Sequence, residues 1–157
     1  MTAEVQGLKE LSRAMGMLKK SIATRTAKRA LSAGAGPIAK RARKNAPVLQ
    51  EPTATRKKGT IKKNIRVKVR KRRDGQYEAT IWVKGLGKKK IELFKQETGK
   101  EGKDNPDDPW YWWFQEFGTA EHPAQPFMRP AFETEKNASL DAIAGKLRED
   151  LKKMGLT

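Results

Sequence analysis

The sequence predicts an α+β fold: long N-terminal helices and a C-terminal helix packed on a small antiparallel sheet that contains a basic β-hairpin. Three observations predict it. Apolar side chains recur at three- and four-residue steps near both ends of the chain. Two alternating runs flank an Asp74-Gly75 pair, the strongest short-range signal for a hairpin. At 157 residues and 36% apolar content, the chain is expected to bury a real core as one domain, 1–157.

In chain order, Leu8, Leu11, Met15, Leu18 and Ile22 form one helical face, continued by Ala27, Ala30, Leu31, Gly34, Ile38 and Ala42. The spacing predicts helices over about 4–15 and 18–45, within a helical region 1–46. Small residues from Ala27 to Ala42 invite close packing, and Pro37 favours a kink near 34–37. Helix stops before Pro47, because the proline ring disfavours helical geometry at Ala46. Residues 47–60 read as a loop. Residues 61–94 read as the hairpin region: Ile65, Val67 and Val69 alternate with Arg66, Lys68 and Arg70, then Tyr77, Ala79, Ile81 and Val83 alternate again, and Ile91 to Phe94 adds a short strand. Residues 95–108 form a polar loop.

Asp108 and Pro109 resemble an N-cap and first helical position. Trp110, Trp113, Phe114 and Phe117 then fall on one face of a short helix, 109–117, with a strand as the competing assignment. That face is expected in the core, leaving Tyr111 and Trp112 outward, as interface aromatics. Gly118 stands where a helix terminator is wanted. Pro123 and Pro126 keep the rest of the 109–132 connector extended. Pro130 opens the last helix, 130–153, along Phe132, Leu140, Ile143, Leu147 and Leu151.

The net charge of +17 is unevenly distributed. Up to Arg73 there are 22 Lys/Arg against three acids, Glu4, Glu10 and Glu51; thereafter 13 stand against 15. The asymmetry points to a polyanion or an acidic protein as partner. Its centre is the acid-free run of Arg56, Lys57, Lys58, Lys62, Lys63, Arg66, Lys68, Arg70, Lys71, Arg72 and Arg73. Dense positive charge repels itself unless anions lie nearby, so this run is the candidate contact to DNA or to an acidic partner. No aromatic side chain interleaves it, so base stacking is not offered there. A merely solvated face is the plain alternative.

Catalytic chemistry has little support. His122 is the only histidine and the chain has no cysteine, so no metal set or activated thiol is written in it. Glu116 and Glu121 lack an accompanying cluster of oxyanion donors. Neither Gly34/Gly36 nor Gly85/Gly87 fits a phosphate-loop pattern. No cofactor, metal or enzymatic activity is expected. No apolar run is long enough to cross a membrane, and the first residues lack a signal-peptide pattern, so synthesis in the cytoplasm is expected.

Residues 111–132 gather seven aromatics and three prolines in the pattern Y-x-x-F-x-E-F-G-T-x-x-x-P-A-Q-P-F-M-R-P-A-F. With "ALSAGAGPIAKRARKNAPV" and "GTIKKNI" upstream, where Asn64 holds a position usually Ser, the chain resembles the neck and tail-completion (head–tail joining) proteins of long-tailed bacteriophages, the HK97-type tail components. The resemblance implies long helices on a small sheet and no catalytic residues. It implies assembly with itself into a ring around the DNA channel, a hexamer, made in the bacterial host and placed in the neck or tail end of the virion. Head-closure or connector proteins and tail-terminator or tail-tube proteins would be its neighbours; the basic hairpin, which the motif does not predict, is the candidate for non-specific contact with packaged DNA or for an acidic partner. In that setting Tyr111, Trp112, Glu116, Thr119, Gln125, Phe127 and Arg129 are the candidate subunit or partner contacts, with Phe127 and Phe132 as anchors. Gly118, Pro123, Pro126 and Pro130 fix backbone shape. A free basic protein that binds nucleic acid non-specifically through residues 56–73 is the alternative.

Overall fold

The computed structural model describes residues 7–18 and 20–156. Six α-helices and one two-stranded antiparallel sheet are found among them, as the α+β expectation requires. In order these are α1 (Leu8–Gly16), α2 (Lys20–Asn45), α3 (Thr60–Asn64), β1 (Ile65–Lys71), β2 (Tyr77–Val83), α4 (Lys88–Thr98), α5 (Trp112–Phe117) and α6 (Met128–Lys153), with a 3-10 turn at Gly102–Asp104 before α5. The expected start of the first helix, residues 4–6, lies outside the described residues.

The chain divides into two compact units. The first comprises Met1–Ala39, Val67–Ile81 and Glu133–Thr157. Its core joins Leu11 and Ala14 of α1 to Ala144 and Leu151 of α6, with Met15, Leu18, Leu147 and Met154 packed against them. The small-residue stripe of α2 is used as its composition predicts. A Cβ on Gly34 would lie 2.4 Å from Ile143 Cγ1 and 3.0 Å from the Ser139 carbonyl oxygen, so only glycine lets α6 come this close. α2 is assigned as one helix through Pro37.

The hairpin is as predicted. Gly75 has φ 88°, the Arg72 amide donates to the Gln76 carbonyl at 2.7 Å, and the Asp74 carboxylate accepts from the Gln76 amide at 3.0 Å. On β2, the Tyr77 hydroxyl lies 3.0 Å from that of Thr24 on α2, and Lys28 Nζ sits 5.8 Å from the centre of its ring.

The second unit comprises Lys40–Arg66 and Trp82–Phe132. Its buried apolar side chains include Ala42, Ala46, Ile61, Ile65, Val83, Phe127 and Ala131. The Arg43 guanidinium donates to the Ile65 carbonyl at 2.9 Å, tying the end of α2 to the start of β1. Two expectations are corrected here. Ile91 to Phe94 is not a strand: it lies inside α4, whose Lys, Glu, Leu and Gln content favours helix, and Gly99 at φ 68° ends that helix with its amide on the Lys95 carbonyl. Three apolar residues around Glu92 cannot tell strand from helix by themselves. Nor does Asp108 cap α5. It is buried, its Oδ1 accepts from the Leu86 amide at 3.4 Å, and α5 begins later, at Trp112. In the expected loop 47–60, Thr53 and Arg56 form an isolated bridge; the start of the expected hairpin region is instead a helical turn, Thr60–Asn64; and the expected polar loop 95–108 carries the end of α4 and the 3-10 turn.

Candidate functional site

The 111–132 segment is built around one carboxylate. Glu116, near the end of α5, is 5% exposed. Its Oε2 accepts from the amides of Phe127 at 2.8 Å and Met128 at 2.9 Å, and its Oε1 accepts from the Arg129 amide at 3.1 Å. These donors stand at the N-terminus of α6, where the first amides of a helix lack internal partners and the helix dipole favours negative charge. Glu116 thus caps α6 from another helix. A glutamate that sequence reasoning places at a partner interface is committed inside its own unit.

Gly118 makes the cap reachable. Its φ of 75° and ψ of 179° fall outside the left-handed helical region expected of a terminator, in a conformation essentially reserved for glycine. A Cβ there would also stand 2.8 Å from the Ala124 amide nitrogen and 3.0 Å from the His122 carbonyl oxygen. The chain then turns through Thr119, whose hydroxyl accepts from the His122 amide at 3.0 Å, and returns so that the Gln125 amide meets the Gln115 carbonyl at 2.7 Å. Pro123 and Pro126 lie on the exposed, non-helical return, and Pro130 sits in the first turn of α6. Phe127 is fully buried, whereas Phe132, expected as a second anchor, is 54% exposed.

The aromatic face of α5 is turned the opposite way from the sequence expectation. Trp113, Phe117, Phe114 and Trp110, expected in the core, are 54%, 48%, 44% and 38% exposed. Tyr111, Trp112 and Gln115, beside Glu116, are the half-buried positions. The reason is Glu116 itself: once its carboxylate must meet the α6 amides, the rotation of so short a helix is set and the rings at Trp113 and Phe117 point away. The signal was present in the sequence as a lone acid within an aromatic run, but its partners lie 11 to 13 residues further on.

The residues of the basic run are divided between the two units. In the second unit, the Arg56 guanidinium lies 5.2 Å from the Trp110 ring and 4.6 Å from the Tyr111 ring and donates to the Thr55 and Lys103 carbonyls. Burial pushes the Tyr111 phenol above its ordinary value, against the opposing pull of Arg56. Lys57 pairs with Asp107 at 2.8 Å, and Arg66 donates to the Lys63 carbonyl. Lys58, Lys62 and Lys63 are exposed. A cleft of about 380 Å³ also lies in this unit, lined among others by Val48, Ile61, Tyr111, Gln115 and Gln125.

In the first unit, Arg70 pairs with Glu78, and Arg72 lies 3.5 Å from Asp74 and 3.8 Å from Glu78. Two acids supplied by the turn and by β2 therefore neutralise part of the run. Lys68, Lys71 and Arg73 are exposed and have no carboxylate partner among the described residues. On β1, exposed Arg66, Lys68 and Arg70 alternate with more buried Ile65, Val67 and Val69, as predicted.

Among the described residues, no group of three or more His, Cys, Asp or Glu side chains is placed to hold a metal ion, and no helix is long and apolar enough to cross a membrane. His122 is exposed on the turn that its own backbone helps to close.

No curated protein and no solved structure matches the chain. A family profile does, over residues 9–118: the HK97-gp10-like family, described as "Bacteriophage HK97-gp10, putative tail-component". The matched region runs from α1 through the hairpin and α5 and stops at Gly118, the residue that turns the chain toward α6. With well over half of its length matched, the chain belongs to the HK97-gp10-like family of bacteriophage tail components.

Proposed function

We propose that the protein is a non-enzymatic structural component of the virion, a six-membered ring of identical subunits in the neck or tail-completion region that joins the DNA-filled head to the tail. The observation that carries this reading is membership of a tail-component family across residues 9–118. The capped corner between α5 and α6 supports it, because a ring that must match faces above and below needs subunits of fixed shape. Head-closure or connector proteins would meet it on one side and tail-terminator or tail-tube proteins on the other. The exposed Thr119, Gln125 and Arg129, with half-buried Tyr111 and Trp112, are the positions left for contacts with neighbouring subunits or other partners. Lys68, Lys71 and Arg73 would face packaged DNA or an acidic neighbour.

Deletion of the gene from its phage, followed by electron microscopy of the lysate, tests this. Filled or leaking heads beside finished, unattached tails are the expected result. Tails of abnormal length would move the protein to tail termination, and normal infectious particles would sink the structural reading.

A second reading, a free protein that binds nucleic acid non-specifically, is favoured by one observation: the hairpin's three cations without acid partners. It requires salt-sensitive, sequence-indifferent DNA binding by the isolated chain. Each phosphate neutralised would add about −0.9 to the log–log salt slope. A filter-binding assay showing no retention at physiological salt removes it.

A further inference from the structure

Four large exposed rings stand on the outer side of α5 and of the turn just before it, in two touching pairs. Trp110 meets Phe114 edge-on with centres 5.6 Å apart, and Trp113 meets Phe117 at 4.2 Å. Phe132, also exposed, follows Arg129 by one turn of α6, and the Arg129 guanidinium lies 6.0 Å from the centre of the Phe117 ring. Aromatic side chains present 150–250 Å² each, so four half-exposed rings offer roughly 400 Å². That is the size of the largest apolar patch on a monomer, which often marks an interaction site.

Two guanidinium groups lie against these rings, Arg56 and Arg129. The Arg56 guanidinium reaches only carbonyl oxygens and ring faces, and among the described residues neither the Arg56 nor the Arg129 guanidinium pairs with a carboxylate. Tryptophan and arginine together are the composition of interface hot spots. A second copy of the chain fits poorly here. The patch is about half of the roughly 800 Å² that each partner contributes to a stable dimer.

We infer that this face docks a segment of a different virion protein, one whose apolar side chains cover the four rings and whose flanking carboxylates meet Arg129. The inference rests on the reading that the chain works among other virion proteins. Its test is the full-length chain with photoreactive p-benzoylphenylalanine in place of Trp113, supplied in trans to phage lacking the gene, with irradiation of purified particles. The expected product is a cross-link to another virion protein through a peptide that contains Asp or Glu. Its yield should fall about tenfold in the Arg129→Glu background, in keeping with loss of one charge-assisted contact. Matched thermal melts show that both chains are folded, and Phe117→Ser serves as a second variant on the same face. A cross-link to a second copy, an unchanged yield with both variants, or no cross-link in particles that contain the chain would overturn the inference while leaving the tail reading intact. Absence of the chain from particles by mass spectrometry would end both.

Discussion

The two faces of helix α5 differ in a way that reverses the usual partition of polar and apolar side chains. On the inner face Glu116 is 5% exposed and accepts three backbone hydrogen bonds; on the outer face Trp113, only three residues earlier, is 54% exposed. An isolated carboxylate is costly to bury, but one aimed at the open amides of a helix N-terminus is compensated by both hydrogen bonds and the dipole. The difference teaches that the stability of this corner resides in a polar cap, while its apolar surface is left for something outside the unit.

The sharpest way to break that comparison is Glu116→Ala. It leaves three amides without their acceptor and is expected to cost about 3 kcal/mol in urea unfolding. A loss no larger than that at an exposed position would mean the cap is ornamental. Gly118→Ala comes next, at about 2 kcal/mol, from the strained φ and the approach of its Cβ to the Ala124 backbone. Denaturant midpoints should fall in that order.

On the outer face, Trp113→Ser is expected to cost about 1 kcal/mol, chiefly its ring contact with Phe117. A cost above that of Glu116→Ala would reverse the assignment of inner and outer faces. The smallest effect concerns an exposed carboxylate, Glu149 on α6, which Lys146 and Lys153 hydrogen-bond and so hold at a pKa of about 2 against an ordinary 4.5. Because its folded value is depressed, the stabilisation is fully present above about pH 4.5 and is lost as pH falls toward 2. A side-chain carboxyl NMR titration checks this, and Lys153→Gln should move the midpoint upward.

Much of the fold was legible from local pattern. The limits of α2, the turn at Asp74-Gly75 and the last helix follow from periodicity, turn chemistry and Pro130, all of which act within a few residues. The need for glycine at Gly118 was legible too, though not its conformation. The small-residue stripe announced a close approach without naming Ile143 as the side chain that fills it. Ile91–Phe94 suits strand and helix alike, with three apolar residues around Glu92, and the Gly99 cap five residues on decides between them.

By itself, then, the sequence determined the long helices near its two ends, which pair forms the hairpin, where positive charge accumulates, and, through the motif, the kind of protein this is. Tertiary structure alone decided which way α5 faces and which members of the basic run remain unpaired. Periodicity specifies that an apolar face exists but carries no information about what opposes it. Here the amides of α6 claimed Glu116, and the acids Asp74 and Glu78 claimed Arg70 and Arg72. Both outcomes depend on groups brought together by folding, and a partner's position in space is not written in the spacing of either side.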